Sequence, residues 1–259
     1  MSQDLFTTVI AVDANYVAQL AYSVLTWQLY RKQIFENPLL VIVDRQNHFD
    51  IIGKLPPAIT GHKKLQIHVW PDEAHADAPF VNQRERMLSA FVHAPPRLVE
   101  TPWWLKVDCD AIALGNPDAW FDPAWFAGDK IIVAPKWGYS KPGHQPGDLD
   151  AWANEHFILS QYPPLNIPYN GEKRLGHERI CSWVSFYNAR WTRWASMLCD
   201  YPRIPVPSQD GYHWFIAART KDTGRVLKVN MKRLGWDNIS KLENLKEKVT
   251  QLVTTRETR

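Results

Sequence analysis

A strand–helix–strand unit at the start of the chain restricts the fold more than any other feature. Residues 7–12 are an apolar, largely β-branched run that ends at Asp13, and residues 39–43 are a second apolar run that ends at Asp44. Apolar residues recur at helical spacing over residues 16–33, between the two runs. Short apolar runs are typical of buried strands, and a helix between two of them predicts a parallel sheet with a crossover connection. The sequence therefore predicts the α/β fold class.

Further elements of the same kinds follow along the chain. Apolar runs predict strands at 66–70, 103–107, 130–134 and 181–187, and helical spacing predicts helices at 83–93, 189–198 and 210–218. Residues 137–180 are rich in Pro, Gly, His and Asn, which predicts a long loop region of the kind that carries function. The prediction is one domain over residues 1–239, with a mostly parallel central sheet flanked by helices.

The last residues, 240–259, predict a separate helical tail. Ser240 and Glu243 have the spacing of a capping box, and apolar residues then repeat at 3-4-3 spacing from Leu242 to Leu252. Such a helix either docks on the domain or forms a short seam in a homodimer. Docking is favoured over the homodimer, because two heptads are short for a coiled coil.

Composition excludes several classes of protein. The 259 residues include 45% hydrophobic residues, and the 30 basic and 27 acidic residues leave a net charge of +3, too balanced to predict a nucleic-acid partner. The 3 cysteines are too scattered for a disulfide framework or a zinc site, and the histidines at positions 62, 68, 75 and 93 lack metal-like spacing. No signal peptide or transmembrane segment is predicted, so the expected location is cytoplasmic.

The predicted strand at 103–107 runs into two carboxylates, Asp108 and Asp110. Strand alternation places both side chains on one side and Cys109 on the other. Two carboxylates so placed repel each other unless a cation lies between them, and Mn²⁺ or Mg²⁺ accepts such oxygen ligands while leaving positions for phosphate oxygens. The sequence therefore predicts a metal site at Asp108 and Asp110. Since Asp13 and Asp44 also end strands, several carboxylates are expected to meet at one sheet edge.

These pieces, in this order, resemble a GT-A-fold glycosyltransferase, of the nucleotide-diphospho-sugar transferase superfamily. The resemblance covers most of residues 7–236: the opening strand and helix at 8–30, the basic-led helix at 84–88, the segment WWLKVDCDAIAL at 103–114, the strand at 181–188 and the acidic segment at 207–214. It implies a donor-binding half, residues 1–114, and an acceptor half, residues 115–239. It further implies that Asp110 binds the metal directly and that Asp108 contacts the metal or the donor ribose.

The resemblance also implies roles for other residues. Nucleotide-sugar binding falls to Val12, Asp13, Tyr16, Arg84, Asp108 and Asp110. Acceptor binding falls to Trp183 and His213, and the catalytic base is Asp210, with Glu178 a distant second. Trp137, which flanks the long loop region, is a further acceptor candidate from its position alone, with ordinary packing the favoured role. Simpler roles stand beside these: Asp13 and Asp210 as helix caps, Arg84 and especially Arg86 as a solvated helix face, and His213 as a packed side chain or a third metal ligand.

The predicted function is metal-dependent transfer of a sugar from a nucleotide-diphosphate donor, with UDP-sugars favoured, to an unknown glycan or small-molecule acceptor. The residues do not decide between retaining and inverting chemistry. One alternative is a catalytically inactive nucleotide-sugar-binding protein of the same fold. A nucleotidyltransferase is less favoured, because no glycine follows the first strand to form a triphosphate-binding loop.

Overall fold

The computed structural model describes residues 4–113 (except 79 and 81), 122–135, 184–197 and 222–229, together with 180, 212–213, 216–217, 220 and the backbone of 236–238. Among them, seven strands form one sheet in the order β3-β2-β1-β4-β7-β6-β8. Their bounds are β1 Phe6–Val12, β2 Leu39–Asp44, β3 Leu65–Trp70, β4 Trp103–Val107, β6 Ile132–Pro135, β7 Val184–Asn188 and β8 Val226–Val229. A separate pair consists of β5, Ala111–Ala113, and β9, Trp236–Asn238.

Every neighbouring pair in the seven-stranded sheet is parallel except the two pairs that include β7. The α-helices are α1 Val17–Tyr30, α2 His48–Gly53, α3 Pro57–Thr60, α4 Gln83–His93, α5 Pro95–Leu98 and α6 Ala189–Ser196. Short 3₁₀ helices lie at Lys32–Phe35, Glu73–His75, Pro123–Phe126 and Thr223–Arg225. The predicted α/β class with a mostly parallel sheet is confirmed.

Most element bounds differ from their predictions by one to three residues. Helix α1 ends at Tyr30 rather than near residue 33, because a 3₁₀ turn follows it. The sequence analysis missed α2, α3, α5, β5, β8 and β9. Strands β5 and β9 have only three residues each, and such short strands form through their pairing rather than through a local pattern.

Strand alternation divides the core between the two faces of the sheet. In β1, Ile10 and Val12 pack on the face that α1 covers, whereas Val9 and Ala11 pack on the face that α4 covers. Strands β2 and β4 alternate in the same way, so the residues that follow these strands inherit a face. Cys109 packs on the α1 face, as predicted from its position between two aspartates.

None of the helices in the described part combines the length and the apolarity needed to cross a bilayer.

Candidate active site

Asp13, Asp44 and Asp108 lie at one edge of the sheet, as the sequence predicted. Each of them ends or follows β1, β2 or β4, and these three parallel strands are neighbours in the order β2-β1-β4. Parallel neighbours present their carboxyl ends at the same edge. By strand alternation all three aspartates also fall on the α4 face, so one helix supplies side chains to the group.

Asp13 binds the backbone at the start of α1. Its Oδ1 accepts hydrogen bonds from the backbone N–H groups of Asn15, at 2.8 Å, and Tyr16, at 3.1 Å. Burial raises the pKa of Asp13 above its ordinary value, although the two N–H groups act in the opposite direction. Asp13 therefore stabilises the turn that leads into α1, whose N-cap residue is Tyr16, and contact of Asp13 with a nucleotide remains a prediction.

Asp44 is fully buried and is held by Arg86 of α4. The Arg86 guanidinium donates from Nε to Oδ1 at 3.0 Å and from Nη2 to Oδ2 at 2.8 Å, and Gln83 Nε2 donates to Oδ2 at 3.3 Å. The expectation that Arg86 lies on a solvated helix face is therefore wrong. The reason is that Asp44 lies on the α4 face of the sheet, where the guanidinium of Arg86 reaches it.

Asp108 is paired with a cation of its own strand. The side chain of Lys106 is 1% exposed, and its ammonium group contacts Asp108 Oδ1 and lies 4.6 Å from the centre of the Phe91 ring. The sequence analysis did not identify this pair, although alternation places residues 106 and 108 on the same side of β4. About a quarter of the Asp108 side chain remains exposed, at 24%.

Asp110 and Tyr16 are coupled electrostatically. Asp110 is 8% exposed and Tyr16 is 38% exposed. The pKa of Tyr16 is raised first by burial and then by negative charge on Asp110, Cys109 and Asp13, while the positive charge of Arg84 acts against that rise. The role of Tyr16 in donor binding remains a prediction. Val12 ends β1 and is buried, at 1% exposure.

The backbone that follows Asp110 is fixed to α1 by three polar side chains. Ser23 Oγ and Trp27 Nε1 donate to the carbonyl oxygen of Ala111 at 2.5 and 2.7 Å, and Thr26 Oγ1 accepts from the N–H of Ala113 at 3.0 Å. Sequence analysis missed these hydrogen bonds, because Ser23 and Thr26 look like ordinary polar breaks in an amphipathic helix. These three hydrogen bonds, which we call the brace, fix the backbone that follows the Asp108–Asp110 turn to α1.

Removing both donors to Ala111 should destabilise the turn. In the double variant Ser23→Ala, Trp27→Phe, the buried carbonyl of Ala111 loses both hydrogen bonds, and an unsatisfied buried acceptor costs about 1–3 kcal/mol. Urea denaturation should record a loss of that size beyond the packing cost of Trp27→Phe alone. The single variant Ser23→Ala, which leaves the indole donor in place, should lose less than the double variant. Equal losses in the two would contradict the brace.

The acceptor-side predictions fare differently. His213 is 1% exposed and lies among aromatic rings, with ring-centre distances of 4.7 Å to Tyr187, 6.0 Å to Trp191 and 6.2 Å to Trp104. An acceptor could reach it only if these rings moved, so its burial favours the packing role. Helical backbone at 212–213 and 216–217 agrees with the predicted helix at 210–218. The predicted base Asp210, the acceptor residues Trp137 and Trp183, Glu178 and the tail at 240–259 lie outside the described residues.

A second buried polar group lies beyond β3, around Trp70. His75 and His93 are 3% and 4% exposed, with ring centres 4.5 and 5.9 Å from that of Trp70. Asp72 accepts from His75 Nδ1 and from Arg97, and lies 3.6 Å from His68 Nε2. Burial lowers the pKa values of His68 and His75, and lowers that of His93 furthest. These histidines therefore serve packing, and no metal role is assigned to them.

The lowered histidine pKa values predict that the fold weakens in mild acid. Below the unfolded-state pKa of about 6.5, these histidines bind protons in the unfolded chain but remain neutral in the folded chain. The unfolding free energy therefore falls as pH falls. The slope should reach at most about 1.4 kcal/mol per pH unit for each histidine. The lowered pKa of Asp72 adds a loss only in more acidic solution, below the ordinary aspartate value of 3.8. Urea denaturation at several pH values between 7.5 and 5 measures the slope.

The variant His93→Phe provides the matched comparison for that measurement. It keeps a flat ring against Trp70 and removes the most strongly shifted group, so the slope between pH 6.5 and 5 should become shallower. An unchanged slope would show that His93 does not contribute to the acid sensitivity.

No family model matches this sequence, and no curated protein matches it. Solved structures do match. Core-mannan synthase A from Aspergillus fumigatus, in its Mn/GDP form, aligns over 92% of this chain and 75% of its own, with a TM-score of 0.57 and 11% identity. The mannosyltransferase Ktr4p from S. cerevisiae aligns over 91% and 70%, with a TM-score of 0.54 and 8% identity. An active-site mutant of LgtC aligns over 88% and 74%, with a TM-score of 0.51 and 14% identity.

This likeness shows the fold: the chain has the GT-A fold, the fold that its sequence resembles. Among the described residues, no three or more His, Cys, Asp or Glu side chains are grouped in a way that could hold a metal ion without other ligands.

Proposed function

We propose that the chain is a metal-dependent glycosyltransferase that moves a sugar from a nucleotide-diphosphate donor, with UDP-sugars favoured, to a glycan or small-molecule acceptor. The observation that supports it most is the convergence of carboxylates at the carboxyl edge of β2, β1 and β4, in a chain with the GT-A fold. The fold neighbour in its Mn/GDP form supports both a divalent cation and a nucleoside diphosphate as ligands.

Asp110 and Asp108 would hold Mn²⁺ or Mg²⁺. Two carboxylates are enough for these ions, because Mg²⁺ in particular keeps several water or phosphate oxygens in its shell. Lys106 contacts Oδ1 of Asp108, so Asp110 is the proposed direct metal ligand and Asp108 is proposed to contact the metal or the donor ribose. When bound, the ion would neutralise negative charge on the diphosphate leaving group.

The remaining donor contacts follow from the same edge. Val12, Asp13 and Tyr16 stand at the end of β1 and the start of α1, where a nucleotide base and ribose would lie in this proposal. Arg84 is exposed on α4 and its charge acts on Tyr16, so it can approach the diphosphate from the α4 side. Arg86 contributes indirectly, because it is committed to Asp44 and fixes the first turn of α4.

The acceptor side of the proposal follows from the family resemblance. Asp210 is the proposed base, with Trp183 as an acceptor contact and Trp137 as a further acceptor candidate from its position alone. An inverting reaction would require Asp210 to take the proton of the acceptor hydroxyl, whereas a retaining reaction would not use it in that way. A cytoplasmic location is a further part of the proposal, and the tail at 240–259 is proposed to dock on the domain, with a homodimer seam as the less favoured alternative.

One observation favours the alternative of an inactive nucleotide-sugar-binding protein. The internal ion pair between Lys106 and Asp108 already neutralises one of the two motif carboxylates, which weakens the demand for a metal. Under this alternative the donor binds and no sugar is released or transferred. A nucleotidyltransferase is the less favoured third possibility, since the residues after β1 include no glycine.

A thermal-shift screen of nucleotides and nucleotide sugars, with and without Mn²⁺, tests the proposal. A ligand present at about 100 times its Kd should add roughly 2.7 kcal/mol to the unfolding free energy. We expect a nucleoside diphosphate and its sugars to stabilise the protein, and Mn²⁺ to increase the effect. Binding with donor hydrolysis or transfer supports the enzyme, and binding without either supports the inactive protein. No stabilisation by any nucleotide would refute both.

A further inference from the structure

A cavity opens at the edge of the sheet opposite the aspartates, and we call it the rear cavity. It has a volume of about 470 Å³, and its lining includes the cations Lys130, Arg190 and Arg225, the carboxylates Asp129 and Asp222, and Asn188, Trp191 and Trp194. Strands β6 and β8 begin here and the antiparallel β7 ends here, so the rear cavity lies at the amino ends of the parallel strands. A strand length of about 17–20 Å separates the two edges. The volume is that of a small-molecule site.

The rear cavity has an excess of positive charge. Arg225 is neutralised, because its Nε lies 3.3 Å from Asp129 Oδ2 and its Nη1 lies 3.0 Å from Asp222 Oδ1. Within the part of the chain that the structure describes, neither Lys130 nor Arg190 contacts a carboxylate. Three cations against two carboxylates leave one positive charge, 3 − 2 = +1. The site therefore matches a ligand with a single negative charge better than a dianion.

The start of α6 adds to this charge. Arg190 is the second residue of the helix, and the first turn contains no acidic residue. The N-terminal end of a helix carries partial positive charge, so a cation in the first turn is unfavourable unless an anion binds nearby. Asn188 caps the helix by accepting from the N–H of Trp191 at 3.0 Å. Because this cap is a neutral amide, it does not compensate the positive charge of Arg190.

Two tryptophans supply the other half of a binding site. Trp194 is half-buried and its ring centre lies 6.4 Å from that of Trp191. Trp191 is only 6% exposed and contributes part of its indole ring to the wall of the cavity. Tryptophan rings supply flat apolar area at binding sites. A flat aromatic face beside polar groups suits the apolar face and the hydroxyl groups of a sugar ring.

We propose that the rear cavity binds an acidic saccharide unit, with its carboxylate between Lys130 and Arg190 and its ring against Trp194. Asp129 has a side chain that is 71% exposed and can accept from sugar hydroxyl groups at the rim. This inference goes beyond the proposed function and stands on the rear cavity alone. If the chain does transfer sugars, the rear cavity would hold a distant part of an acidic glycan.

The test follows the tryptophan N–H signals of the full chain by ¹⁵N NMR during titration. The Trp191 signal is assigned by its loss in Trp191→Phe, and the probes are glucuronate, neutral glucose and acetate. We expect glucuronate to shift the Trp191 signal in the original chain, and Arg190→Gln to weaken that binding by about tenfold or more, which corresponds to about 1.4 kcal/mol. Lys63→Gln, which removes an exposed cation elsewhere, should bind as the original chain does.

The outcomes separate the parts of the inference. Equal responses to glucuronate and glucose would refute the role of the cations, and equal responses to glucuronate and acetate would refute the saccharide. No response to glucuronate would refute the site. In the Asp110→Ala variant the glucuronate response should persist, and its loss would overturn a separate site. Because no nucleotide is used, failure of the proposed function leaves this result unaffected.

Discussion

The variant Asp110→Ala is expected to lose sugar transfer, and with it the Mn²⁺-dependent part of nucleotide binding, while it keeps its fold. Asp110 lies in the turn after β4. Among the residues that the structure describes, none forms an ion pair with it, so its carboxylate is the group most available to a cation. Removing one group that stabilises developing charge typically lowers turnover by about 10²–10³-fold. Loss of a direct metal ligand should cost at least as much.

Calorimetry with UDP and Mn²⁺, together with donor hydrolysis, measures this loss without knowledge of the acceptor. Asp50→Asn serves as the matched control, because it removes an exposed carboxylate that pairs with the exposed Lys54. A circular-dichroism melt should show that Asp110→Ala remains folded. Unchanged turnover of this variant at saturating Mn²⁺ would refute the proposed metal site.

The variant Arg86→Met should be the most destabilising single change among those considered. Asp44 is fully buried, and its carboxylate depends on the two hydrogen bonds from the Arg86 guanidinium. Removing one partner of a buried ion pair leaves an uncompensated charge and costs about 3–5 kcal/mol. Urea denaturation at neutral pH measures this loss, which would be a large part of the stability of an ordinary domain.

Arg84→Met is the control on the same helix. Arg84 is exposed, so its replacement should change the unfolding free energy by no more than about 0.5 kcal/mol. The double variant Asp44→Asn, Arg86→Met should recover part of the loss, because it removes the buried charge as well as its partner. Similar effects of Arg84→Met and Arg86→Met would contradict the difference in their surroundings.

Much of the fold was predictable from particular runs of residues. The strands at 7–12, 39–43 and 103–107 were found because a buried strand is an apolar run, a property of neighbouring residues. Strands β5 and β9 were not found, since a three-residue strand is defined by its partner. Of the candidate site, the alignment of Asp13, Asp44 and Asp108 at one edge was predictable, because consecutive parallel strands end on the same side.

The partners of those aspartates were harder to predict. Alternation in β4 places Lys106 beside Asp108, so that pair left a signal that could have been used. No sequence signal indicated the pairing of Arg86 with Asp44, because 42 residues separate the two and charged residues on a helix ordinarily face water. His213 likewise became a core residue only when rings from β4, β7 and α6 enclosed it.

The sequence by itself determined the α/β class, the order of the main strands and helices, and the edge of the sheet at which carboxylates meet. These properties depend on local periodicity and on the right-handed parallel crossover, which hold for any chain with this pattern. Only the tertiary structure decided that Arg86 neutralises Asp44, that α1 fixes the turn after Asp110, and that Lys130, Arg190 and Trp191 line the rear cavity. Such contacts join residues far apart in the chain, and no local pattern encodes which distant side chain will fill a given space.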